Sequence, residues 1–209
     1  MDTVINRDFH TYYGLSGMMP ISVHTDAGRI AFHDAKACNA CIRNSCDVCS
    51  GQNREENFIV ACAHPINIAN NESFLEQMTP DPEKCDLMLY DNDKVVFVDM
   101  FCGQEKYVHP FVNMKGPQQG KLAKVRSQIT NTIQLLSAVP SINNKFAGLK
   151  EKHGVFGCRL KQQNSSADNV AGNMGAFMAM PIAASAERYT PLVDGFMFTT
   201  KYYPDPYKW

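Results

Sequence analysis

Apolar positions recur along this chain with two different periods. From Lys121 to Val139, at 100° per residue, Leu122, Val125, Ile129, Ile133 and Leu136 fall in one stripe about 80° wide, with Lys121, Lys124, Gln128 and Thr132 along one flank. That spacing predicts an amphipathic helix. Upstream, Cys85-Asp86-Leu87-Met88-Leu89-Tyr90 and Lys94-Val95-Val96-Phe97-Val98-Asp99-Met100-Phe101 flank the turn-type cluster Asp91-Asn92-Asp93, which predicts a β-hairpin. Its second strand is apolar on both faces, as suits a central strand covered on both sides. A further strand is expected over His153–Leu160, after a loop. The stretch Arg54–Met78 reads as a helix or a pair of short helices, interrupted by Pro65 and closed by Pro80 and Pro82. The order helix, strand, strand, helix, strand predicts an α/β fold, a mixed central sheet flanked by helices.

Composition refines this picture. Residues 1–53 are rich in Gly, His, Asn and Cys and read as an irregular, Cys-rich N-terminal module; residues 54–162 hold the periodic core; residues 163–209 read as a C-terminal extension packing on that core. Apolar residues make up 44% and charged residues 20%, which excludes wholesale disorder, collagen-like sequence and coiled coil. The net charge of −1 excludes a global basic footprint, so nucleic-acid contact would need a local basic face, for which Lys106, Lys115, Lys121, Lys124 and Arg126 are candidates. The first residues contain no apolar run of the signal-peptide kind, and about 18 uninterrupted apolar residues occur nowhere. The expectation is a cytoplasmic protein without membrane contact, its eight cysteines thiols or metal ligands rather than disulfides.

Four cysteines form two Cys-x2-Cys knuckles, Cys38, Cys41, Cys46 and Cys49. Four thiolates are the usual closed site for structural zinc. The short spacer between the knuckles strains a single four-thiolate site, so His33 in place of one thiolate, an iron–sulfur cluster and unmetallated thiols remain open. Cys62, Cys85, Cys102 and Cys158 stand alone in apolar surroundings and read as buried small hydrophobes. The stretch Gly172–Met180 lacks the Lys-Ser/Thr of a phosphate loop and reads as a packing or partner-binding segment. Tyr202, Tyr203, Tyr207 and Trp209 are expected to dock the tail onto the domain rather than stack on bases.

The hairpin carries the candidate chemistry. With Asn92-Asp93 as a two-residue turn, Asp91 lies opposite Lys94, Asp86 opposite Asp99 and Lys84 opposite Phe101. Directly opposed side chains have Cβ atoms roughly 4.5–5.5 Å apart. Two carboxylates so placed repel unless a cation lies between them, and a hard divalent ion such as Mg²⁺ would remove the conflict. A one-residue slip of register, or solvated strand ends, would dissolve the pair instead.

These residues and their order resemble the PD-(D/E)XK nuclease-like, or restriction-endonuclease-like, superfamily over residues 72–160. In that pattern an acid on one strand, Asp86 here, precedes a strand ending in Asp or Glu, any residue, then Lys. The second motif here reads Asp99-Met100-Phe101. The resemblance implies a restriction-endonuclease-like core, Mg²⁺ on Asp86 and Asp99, Gln128 on the following helix and Glu72, or Glu76, from a preceding one. It also implies metal-dependent hydrolysis of nucleic-acid phosphodiesters. The departure is Phe101, which cannot supply the motif's charge at a position sharing a strand face with Asp99. Lys84 is the expected replacement, with Lys121 or Lys124 reaching in from the helix as alternatives and an eroded site as a further one. The competing expectation is a non-catalytic interaction or accessory protein, immunity-like, that holds a protein partner through the Cys-rich module and the apolar C-terminal part.

Overall fold

A computed structural model of the chain describes residues 1, 4–15, 22–24, 27–33, 56–71, 75–161 and 188–209. The Cys38–Cys49 cluster, Glu72 and the Gly172–Met180 stretch lie outside the described residues. The apolar runs assemble into a mixed α/β arrangement. Its largest sheet contains β1 (Ser22–His24), β4 (Asn67–Asn70), β5 (Leu87–Tyr90), β6 (Lys94–Gly103), β9 (Glu151–Leu160), β11 (Met197–Tyr202) and β10 (Thr190–Pro191), in that spatial order. Strands β4, β5 and β6 form an antiparallel meander, β9 and β11 then run parallel to β6, and β7 (Phe111–Asn113) and β8 (Gly116–Gln118) form a separate two-stranded sheet. A parallel neighbour requires a crossover. Two helices supply it, α2 (Lys121–Ser137) and α3 (Pro140–Ala147), while a π-helical turn, Ile5–Phe9, and the short α1 (His10–Tyr13) precede them in the chain.

The hairpin forms in the expected register. Leu87 pairs with Val98 and Tyr90 with Val95, and the Asp91 carboxylate accepts the amides of Asp93 and Lys94, both at 2.8 Å, so the turn is held by its own aspartate. Strand β6 lies between β5 and β9 and is buried over most of its length. One of its faces, with Val95 and Phe97, packs under α2 and α3 against Ile129, Ile133, Leu136 and Phe146. The other face, with Val96, Val98 and Met100, meets a second sheet of β12 (Tyr207–Lys208), β3 (Glu56–Cys62) and β2 (Gly28–His33). The result is three layers, helices, large sheet and small sheet, with an apolar core on each side of β6. A Cβ at Gly157 would come within 2.9 Å of Phe58, so a residue without one lets the two sheets meet here.

Two expectations are corrected. Within the expected helical stretch Arg54–Met78, Glu56–Cys62 and Asn67–Asn70 are strands β3 and β4, and helical backbone is described only at Asn71 and Leu75. Phe58, Ile59 and Val60 are all buried, so this apolar run is a strand covered on both sides, a pattern that periodicity alone does not separate from a buried helix. The loop expected before β9 contains α3, which begins at Pro140 because proline's fixed φ suits the first helical position. The tail contributes strands: β11 joins the large sheet beside β9, β12 pairs with β3, and Tyr207 is fully buried. Trp209 Nε1 donates to Asp91 Oδ2 at 2.6 Å. No helix among the described residues is long and apolar enough to cross a membrane.

Candidate functional site

Strand β6 fixes one carboxylate by its alternation. Asp99 follows Phe97 and precedes Phe101 on the face beneath α2, where it is 1% exposed. A carboxylate so buried needs a compensating charge. The charge comes from the first residue of α2: Lys121 Nζ lies 3.3 Å from Asp99 Oδ1, with the lysine side chain 24% exposed. A cation at a helix N-terminus opposes the helix dipole, and Asp99 offsets that conflict. The placement depends on Gly120, at φ +80°, where a Cβ would fall 2.4 Å from the His109 carbonyl. Leu122 N donates to Val108 O at 2.9 Å, which ties the start of α2 to the loop leaving β6.

Asp86 sits one residue before β5. Its backbone carbonyl accepts the Asn71 amide at 3.0 Å, extending the β4–β5 ladder, and its side-chain Oδ2 accepts the Met100 amide at 2.7 Å. The carboxylate thus grips the β6 backbone at the residue next to Asp99. Helix α2 holds the approach to it: Gln128 Nε2 donates to Lys84 O at 2.9 Å, and Cys85 N donates to Thr132 Oγ1 at 3.0 Å. Asn71 Nδ2 reaches Cys85 Sγ at 3.2 Å. Burial pushes the Cys85 thiol up, with Asp99 and Asp86 adding to the shift, so it stands as a neutral thiol beside the two carboxylates. That excludes Cys85 as a thiolate nucleophile at neutral pH.

The sequence-predicted residues therefore part company. Asp86 reaches the Met100 amide beside Asp99, while Gln128 reaches the Lys84 carbonyl rather than either carboxylate. Lys84 contributes its backbone carbonyl, while its ammonium turns away to Asp81 Oδ1 at 2.5 Å. The lysine on Asp99 is Lys121. Phe101 packs on Phe156 with ring centroids 6.2 Å apart, filling the strand position where the motif would carry its lysine. Glu76 is exposed. Thr132, which clamps Cys85, carries no signal in sequence beyond its place on the helix flank. Among the described residues no group of three or more His, Cys, Asp or Glu side chains converges as metal ligands.

Comparison with protein-family models, with curated proteins and with solved structures gives no match for this chain.

Proposed function

We propose that this chain is a divergent PD-(D/E)XK nuclease-like protein with a restriction-endonuclease-like core, and that it hydrolyses nucleic-acid phosphodiesters from a rearranged site in which Lys121 replaces the motif lysine. The observation that carries this reading is the 3.3 Å pair of Lys121 Nζ and Asp99 Oδ1, an acid and a lysine on the face where Phe101 stands in the motif. It is supported by the order of the bearing elements: β5 follows Asp86, β6 carries Asp99, α2 carries Lys121 and Gln128, and β9 returns parallel to β6.

The donor set suits Mg²⁺, since Asp86 and Asp99 offer hard carboxylate oxygens and the ion retains several waters. Held there, such an ion would polarise the phosphate and lower the pKa of a bound water. Lys121 balances the charge of Asp99 and would offer its ammonium to negative charge growing on a phosphate oxygen held there. Gln128 is a positioning residue, holding the Lys84 carbonyl and through it the approach to Asp86.

A second reading, a non-catalytic interaction protein on the same fold, is favoured by the packing of Phe101 on Phe156 and the depth of Asp99, 1% exposed. Incubation of the full chain with single- and double-stranded DNA and RNA in Mg²⁺ or Mn²⁺ separates the two. The nuclease reading expects cleavage that Asp99→Asn and Lys121→Met abolish, and that Phe101→Lys partly restores to Lys121→Met by returning an ammonium to the Asp99 face. Wild-type protein that cleaves none of these substrates supports the second reading. Cleavage that survives Lys121→Met overturns the assignment of that lysine.

A further inference from the structure

Beside the Asp99–Lys121 pair a cleft of about 420 Å³ opens between the first turns of α2, the His109-Pro110 loop and strands β10 and β11. Its position relative to the pair follows from the sheet register. Asp99 and Thr200 both pair with Phe156, from opposite sides, so all three lie in one row across the sheet. At the usual strand spacing the outer two are about 10 Å apart. Thr200 lines the cleft, as do Leu122 and Ala123 of α2, so the cleft begins where the candidate site ends.

The lining has two chemical characters. Leu122, Ala123, Pro110 and Phe198 give an apolar floor and wall. The polar part joins two arginines to the neutral Gln119, Thr190, Thr199 and Thr200: Arg126 stacks over the Phe198 ring at 5.2 Å and is fixed by Thr190 Oγ1 and the Pro191 carbonyl, while Arg188 stands exposed at the rim. Among the described residues no acidic side chain lines the cleft. This bias belongs to a longer stretch. Between Lys106 and Lys150 the chain carries seven Lys or Arg and no Asp or Glu, although its net charge is −1. The segment that carries α2 and α3 is therefore locally basic in sequence, although Lys121 and Lys150 are paired with Asp99 and Asp93.

We propose that this cleft is a nucleotide-binding subsite, taking one unpaired base of a single-stranded nucleic acid against Leu122 and Ala123, with the adjoining phosphate on Arg188. The volume is in the range of small-ligand pockets. A flat apolar base beside an anionic phosphate matches the apolar floor beside arginines. A base reaches such a cleft only when it is unpaired, which selects single strands over duplex. The proposal deepens the nuclease reading and rests on it for the choice of polymer, since the strand would run from the cleft toward Asp99.

The experiment measures binding of a short fluorescein-labelled oligodeoxythymidylate to the full chain by anisotropy, in EDTA, with its duplex form as the comparison. Wild-type protein is expected to bind the single strand more tightly than the duplex. Arg188→Ala should raise the dissociation constant about tenfold, the equivalent of about 1.4 kcal/mol. Ala123→Trp, which fills the cleft from an exposed helix position, should abolish the preference for single strands. Equal affinities for wild type and both variants, or no single-strand binding by wild type, overturn the subsite. Because EDTA removes any metal-dependent hydrolysis, binding that responds to these substitutions in a protein that cleaves nothing supports the subsite and overturns the nuclease reading alone. Cleavage by a protein whose binding ignores both substitutions overturns the subsite alone.

Discussion

Replacing Lys121 by methionine keeps an unbranched apolar stem and removes only the ammonium, so it isolates the charge opposite Asp99. Asp99 is 1% exposed and the Lys121 side chain 24%, so the pair is neither a surface bridge nor fully interior. For charge centres about 4 Å apart at an effective dielectric of about 20, the attraction is about 4 kcal/mol. Desolvating and ordering the lysine returns about half of that, leaving about 2 kcal/mol net. Lys121→Met is therefore expected to lower stability by about 2 kcal/mol, or the melting temperature by about 4–8 °C at this chain length. Asp99→Asn leaves the ammonium at a helix N-terminus without its counter-charge and should cost about 1 kcal/mol. Once either charge is gone the other substitution loses its effect on the pair, so the double variant should be no less stable than Lys121→Met alone. Urea denaturation of the four proteins at neutral pH and low salt measures the coupling, expected at about 1–2 kcal/mol. Strict additivity, with coupling below about 0.5 kcal/mol, would refute the reasoning, because Asp99 would then not depend on Lys121 and the relocated acid–lysine pair would lose its physical basis.

Two further outcomes follow from the titrating groups. Burial raises the Asp91 carboxyl, but hydrogen bonds from His64, Trp209 and the amides of Asp93 and Lys94 outweigh it and hold the group below the ordinary carboxylate value. A depressed folded-state pKa contributes stability above the unfolded value, near 3.9, that is lost as pH falls through the folded one. Asp91→Asn should therefore destabilise by about 1–2 kcal/mol at pH 7 and by much less near pH 2; denaturation curves showing the same deficit at both pH values would contradict this. Burial also pushes the Cys158 thiol up to about 12, with Cys102 and Glu105 adding to the shift, and raises Cys85 as well. Peptide mapping after iodoacetamide treatment at pH 8 should find Cys85 and Cys158 unmodified in the native protein and both alkylated in urea. Native-state labelling of either would refute their burial.

The candidate site was legible in sequence to the extent that it depends on local geometry. The Asp91-Asn92-Asp93 cluster sets the turn, the turn sets the register, and the register brings the Asp86 segment alongside Asp99. The amphipathic stripe gives α2 and places Lys121 and Gln128 on its flank. What stayed hidden was the choice among lysines. Lys84 and Lys121 are both within reach of the hairpin in sequence terms, and Asp81, three residues before Lys84, captures that ammonium at 2.5 Å. The locally basic segment was masked for a different reason: an acid-free stretch from Lys106 to Lys150 vanishes when charges are summed over the whole chain.

By itself, then, the sequence determined the hairpin, the long helix and the buried strands β6 and β9, because apolar period and turn chemistry act over a few residues. Packing decided the rest. Phe58, Ile59 and Val60 became a strand because a second sheet covers β6 and β9 on the side away from the helices. The tail entered the structure because β9 offers an edge to β11 and β3 offers one to β12. Lys121 reached Asp99 because Gly120 lets α2 begin against the His109 carbonyl, a contact between segments that only the folded chain brings together.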